Sequence, residues 1–142
     1  MIVAQILAEK GRDVATTTAD KTIAEVATTL AARKIGALIV TERGRMVGIV
    51  SERDIVKAIG LNGAVILDDP VVSIMTRDVV TCREREKINT VMGRMTQRRF
   101  RHLPVLEDGN LVGIVSIGDV VKARIEQVEF EADELRSYIA TA

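Results

Sequence analysis

The sequence is poor in aromatic residues, with no Trp, one Tyr and two Phe. Stacking bases on aromatic rings, the usual way to hold single-stranded nucleic acid, is therefore almost closed to it. Nor does one charge dominate. Lys plus Arg and Asp plus Glu each number 20, for a formal net charge of zero, whereas a chain that tracks a phosphate backbone carries a basic excess. The one cysteine, Cys82, excludes an internal disulfide and reads as a strand thiol. With a single histidine besides, a multi-ligand zinc site lacks its usual donors. No run approaches the roughly 18 apolar residues that span a bilayer. The first residues also lack the basic and apolar regions of a secretory signal. The expectation is a soluble, cytoplasmic protein with no membrane partner.

What the chain has is aliphatic. Apolar residues make up 47% of its 142 positions and aromatics 2%, so any core is built from Val, Ile, Leu, Ala and Met. This length suits one domain, or two half-size units that share a core. An internal repeat decides between them. Shifting the sequence by 65 positions sets residues 12–59 against 77–124 without a gap, with 20 identities in 48 pairs. The matches come in blocks: Arg-Asp-Val at 12 and 77, Val-Gly-Ile-Val-Ser at 47 and 112, Asp54 with Asp119, and Val-Lys-Ala at 56 and 121. So long a period in only two copies fits duplication of a half-domain better than a solenoid.

Each copy carries the same pattern. A short β-prone piece (VATT, VVTC) leads into an amphipathic helix, with Ile23, Val26, Ala27 and Leu30 at helical spacing in one copy and Ile88, Val91, Met92 and Met95 in the other. Two strands follow, turning at Arg43-Gly44 and at Asp108-Gly109. A second helix opens at Ser51 or Ser116. The fold class is thus α/β (α+β): two pseudo-symmetric β-α-β-β-α repeats, each with a three-stranded sheet, packed through their sheets. The expected organisation is a lead-in at 1–11, repeats at 12–60 and 75–125, a linker at 61–74 and a helical tail at 126–142. That tail either folds back on its own module or extends it toward a dimer partner.

The motif Gly-Ile-Val-Ser-x-x-Asp ends at Asp54 and again at Asp119. By itself it is a capping box. A strand that turns at Ser into a helix also presents free N–H groups and the positive end of the helix dipole to an anion. The Asp one turn later can accept both vicinal hydroxyls of a ribose.

Two β-α-β-β-α copies that each close on this motif resemble a tandem pair of cystathionine β-synthase (CBS) domains, a Bateman module, over about residues 12–124. The resemblance implies adenosine derivatives as ligands: AMP or another adenine nucleotide, ADP, ATP, S-adenosylmethionine, or NAD(H). It also implies one cleft that joins Ser51, Arg53 and Asp54 to Val79, Val80, Arg101, His102 and Pro104. A second would join Ser116, Gly118 and Asp119 to Val14, Ala15, Gly36, Ala37 and Ile39. Homodimers are implied as well, together with a regulated partner protein that the residues do not identify.

Arg94, Arg98, Arg99, Arg101 and His102 crowd one short stretch and suit a small anion. Arg101-His102 stands in the group with Asp54, and the small residues Gly36-Ala37 in the group with Asp119. The Asp54 cleft is therefore expected to be the tighter phosphate-bearing one. Arg12 and Arg77 could meet phosphate or pair with Asp13 and Asp78. Nothing here supplies a catalytic base beside Ser51 or Ser116, so the expectation is a binding module and not an enzyme. The alternatives are a structural dimerisation scaffold and a nucleic-acid-associated protein.

Overall fold

A computed structural model describes residues 1–141. Its helices are α1 (Val3–Lys10), α2 (Ile23–Arg33), α3 (Glu52–Asn62), α4 (Ile88–Arg98) and α5 (Ile117–Thr141). Its strands are β1 (Thr16–Thr18), β2 (Ala37–Glu42), β3 (Arg45–Ser51), β4 (His102–Glu107) and β5 (Asn110–Ser116). The chain forms two compact units, Val14–Val79, and Met1–Asp13 together with the chain from Val80 onward. No helix among the described residues is long and apolar enough to cross a membrane.

In the Val14–Val79 unit, β1 runs parallel to β2, and β2 antiparallel to β3. Helix α2 starts where the Thr22 hydroxyl accepts from Glu25 N–H at 3.1 Å. It buries Ile23, Val26 and Leu30, the apolar stripe read from the sequence, and stops at Lys34 in the left-handed region (φ 54°). The β2–β3 turn holds Arg43 and Gly44 at φ 53° and 77°. Two successive positive φ values make the type I′ turn that matches the twist of paired strands. The core joins that helical stripe to Leu38, Val40, Val50 and Ile55, with Met75 as filler. The segment after α3 forms two short 3-10 turns, Ala64–Asp68 and Val71–Ser73. It closes on the start of α2 through Ile23 N–H to Asp69 C=O at 2.9 Å.

The second unit repeats the plan. Helix α4 buries Ile88, Val91 and Met95 and ends at Arg99 in the left-handed region, while Asp108-Gly109 makes the equivalent turn between β4 and β5. Helix α1 closes on the start of α4 as the 3-10 segment closes on α2: Ile88 N–H donates to Met1 C=O at 3.1 Å. Val3, Ile6 and Leu7 enter this unit's core beside Leu103, Val105, Val115 and Val120. The residues before the first repeat thus belong with the second. The tail expected over 126–142 is helical to Thr141 as part of α5, and Ala142 lies outside the described residues.

The sheets differ from the sequence reading in one respect. A leading strand was expected in both copies, but the second has only an isolated bridge, Cys82 to Val105, beside the two-stranded β4–β5 sheet. Pro104 explains this. In the first copy the parallel ladder includes Ile39 N–H donating to Ala15 C=O at 3.2 Å. Sixty-five residues on, position 39 becomes Pro104, which has no N–H to give the Val80 carbonyl. Cys82 N–H to Pro104 C=O and Leu106 N–H to Cys82 C=O, at 3.0 and 2.9 Å, are what remains.

Gly48 and Gly113, equivalent in the repeat, sit under unequal neighbours. A methyl on Gly48 would lie 2.8 Å from the Thr76 carbonyl oxygen and 2.7 Å from Met75 Sδ, whereas one on Gly113 would meet only the Leu7 side chain, at 2.7 Å. Backbone cannot step aside as a leucine end can. Gly48→Ala should therefore cost about 1–3 kcal/mol and Gly113→Ala clearly less, read from urea midpoints.

Candidate functional site

Each repeat delivers one serine–aspartate turn at a strand-to-helix junction. At the end of β3, Ser51 N–H donates to Asp54 Oδ2 at 2.8 Å, and Asp54 N–H donates to Ser51 Oγ at 3.2 Å. The Ser51 hydroxyl also reaches Asp54 Oδ2, at 3.1 Å. At the end of β5, Ser116 N–H donates to Asp119 Oδ2 at 2.8 Å and Asp119 N–H to Ser116 Oγ at 3.1 Å. Both turns are the capping box the spacing predicted. Both leave a half-buried carboxylate at the positive end of a helix dipole.

The sequence-predicted residues divide between the units. In the first, Ala37 pairs with Ser51 in the β2–β3 register, and Glu52 N–H donates to Gly36 C=O at 2.9 Å. Gly36, Ala37, Ser51 and Asp54 therefore share one end of the hairpin. Ile39 is buried further along β2, bonded to Ala15, while the Arg53 side chain is exposed. Val14 and Val79 are half-buried at the ends of this unit. In the second unit His102 pairs with Ser116 across β4 and β5, and Ile117 N–H donates to Arg101 C=O at 2.8 Å. Arg101 and Gly118 are exposed, Val80, His102 and Asp119 half-buried, and Pro104 buried.

The two aspartates do not stand in equal surroundings. Lys10 Nζ, from α1, donates to Asp119 Oδ2 at 2.5 Å and to the Ile114 carbonyl at 2.9 Å. Burial by itself would raise the Asp119 pKa. The hydrogen bond from Lys10, the Ser116 N–H and the Lys10 charge outweigh it and hold the carboxyl below its ordinary value. The folding stability from that ionised carboxylate is thus complete above the ordinary carboxylate pKa and is lost as pH falls through the lowered one. Among the described residues no ion pair involves Asp54. Shifting Lys10 by the repeat gives Met75, which carries no charge to offer it. Lys10 went unread in the sequence because it lies before the repeated stretch begins.

The basic cluster is thinner than it read. Arg94 is bound to Glu86 at 2.6 and 3.2 Å and to the Thr81 carbonyl at 3.0 Å, a fork that raises its pKa and commits it to holding α4. Arg12 pairs with Glu84, a partner 72 positions away and not its neighbour Asp13. Burial, reinforced by Glu86, pushes the Cys82 thiol up to about 12, so it is no nucleophile at neutral pH. No cluster of three or more His, Cys, Asp or Glu able to hold a metal ion occurs among the described residues.

A duplicated helix-hairpin-helix unit, with a capped Ser-x-x-Asp turn at each strand-to-helix junction and a leading strand in the first copy, defines a paired α/β repeat. The sequence model of the CBS domain matches residues 3–61 and 71–126, and the chain belongs to that family. The solved CBS-domain containing protein ATU1752 of Agrobacterium tumefaciens is 50% identical to it, with a TM-score of 0.86 over 87% of this chain and 99% of that one. The CBS domain pair of protein MJ0100, solved with 5-methylthioadenosine and S-adenosyl-L-methionine, is 29% identical with a TM-score of 0.78, over 89% of this chain and 98% of that one. The CBS domain protein PAE2072 of Pyrobaculum aerophilum, solved with AMP, is 31% identical with a TM-score of 0.74, over 84% and 89%. The matches to the first curated relatives span about half their length or less.

Proposed function

We propose that this chain is a non-catalytic regulatory module that binds an adenosine derivative, AMP or a close relative, at its serine–aspartate turns, and acts as a homodimer. The observation that carries this reading is the Ser51–Asp54 turn. Its carboxylate makes no ion pair among the described residues, lies at a helix N-terminus and is flanked by the small residues Gly36 and Ala37. The N–H groups of Ser51, Glu52 and Asp54 are bonded within the turn and to Gly36, so phosphate suits the positive end of the helix dipole, and vicinal hydroxyls suit the aspartate. That two relatives were solved with AMP or with S-adenosylmethionine and methylthioadenosine supports the ligand class. Binding produces a signal through linkage, since ligand shifts the balance between two states of the protein only by its different affinity for each. A partner protein that prefers one state then reads the nucleotide.

Thermal melts with AMP, ADP, ATP, NAD, NADH, S-adenosylmethionine and methylthioadenosine test this directly. A ligand at 100 times its Kd stabilises by about 2.7 kcal/mol, a midpoint rise of about 5–10 °C for a chain of this size. No rise with any of them would leave the turns as helix caps and the chain as a dimerisation scaffold. Hydrolysis of the nucleotide would overturn the non-catalytic reading.

A further inference from the structure

The outer part of α5 carries an apolar stripe that its own unit does not cover. Val120 and Ala123 face the core, but Val121, Ile125, Val128, Leu135 and Ile139 are 41%, 53%, 45%, 60% and 66% exposed. With Ala132 they follow one another in steps of four, three, four, three and four residues, which is the heptad spacing of a two-stranded coiled coil. Ile125, Ala132 and Ile139 then take the a positions, and Val121, Val128 and Leu135 the d positions. Ile125 and Ile139 at a with Leu135 at d match the preference of parallel two-stranded coils, whereas Val121 and Val128 at d and Ala132 at a do not add to it.

The charges beside the stripe select the same arrangement. Flanking e positions hold Lys122, Glu129 and Arg136, and g positions hold Arg124 and Glu131. In a parallel, in-register pair each g residue meets the e residue five positions later on the other helix. Arg124 then faces Glu129 and Glu131 faces Arg136, each pair occurring twice by symmetry. An antiparallel pair that overlaps the whole stripe sets Lys122 against Arg136, Glu129 against Glu129 and Glu131 against Glu131, all like charges. The existing tie of Arg136 to Asp133, at 3.1 Å with both side chains more than 70% exposed, is weak enough to be exchanged.

We propose that α5 pairs with α5 of a second copy of this chain as a parallel, in-register coiled coil through residues 121–139. This rests on the homodimer reading and gives it a surface and a direction. Two measurements on the full chain test it. Glu129→Arg with Arg136→Glu turns every g–e contact repulsive and should raise the dimer Kd by about tenfold or more in sedimentation. Adding Arg124→Glu and Glu131→Arg restores opposite signs and should restore the affinity, which a folding defect would not do. Ile139→Cys should form an intermolecular disulfide rapidly on mild oxidation, because position 139 then meets its own copy. In the antiparallel pair those residues would stand about 27 Å apart along the helix. A dimer indifferent to the charge reversal, with no disulfide, overturns the coiled coil and leaves the homodimer standing. A wild-type monomer at all concentrations overturns both.

Discussion

Asp54→Ala should lower nucleotide affinity about 5- to 150-fold and erase most of the ligand-induced rise in melting temperature, while Asp119→Ala leaves that rise nearly intact. The argument begins with what each carboxylate is already doing. Asp119 holds the Lys10 ammonium at 2.5 Å, so a ribose at that turn must compete with an internal cation or share the carboxylate with it. Asp54 makes no ion pair among the described residues, and its other contacts are the cap bonds to Ser51. Removing it leaves ligand hydroxyls without an acceptor, a loss of about 1–3 kcal/mol. The Asp119 variant should show its effect elsewhere. It gives up a helix cap worth about 1 kcal/mol and releases Lys10, so the unliganded protein melts lower. Isothermal titration beside the melts separates the two effects. Equal affinity losses in both variants would mean that Lys10 does not distinguish the turns.

The largest stability loss is expected in the aliphatic core. Leu103 is fully buried in β4, among Leu7, Val91 and Val115. Leu103→Ala should cost about 2–5 kcal/mol, a large share of the 5–15 kcal/mol typical of a whole domain. Leu61→Ala, at a site 73% exposed, should stay within about 0.5 kcal/mol. Urea unfolding with an unchanged slope checks both. A Leu103→Ala loss below 1 kcal/mol would mean that the core collapses around the missing side chain.

Much of this was written in local pattern. Hairpins at Arg43-Gly44 and Asp108-Gly109, the helical stripes and the Ser-x-x-Asp caps all depend on residues within four positions of each other, and spacing reports such neighbours. What was missed depends on partners far along the chain. Lys10 meets Asp119 across 109 positions, and Arg12 meets Glu84 in place of Asp13. Neither carries a periodic signal. Pro104 is a different case. It stood in the sequence as a pocket residue, but its missing N–H, read against Ile39 in the first copy, already forbade the equivalent ladder. The repeat predicted sameness, and the differences between its copies had to be taken residue by residue.

The packing of α1 bears on how the chain is made. The Val14–Val79 unit is continuous and can close once its last residue leaves the ribosome. The other unit takes its first 13 residues from the start of the chain and its remainder from Val80 onward. Val3, Ile6 and Leu7 have no completed core to enter until Val115 and Val120 have been synthesised. At usual translation rates that interval is about 5–20 s. During it α1 is an unsheltered amphipathic segment that a holdase chaperone could bind.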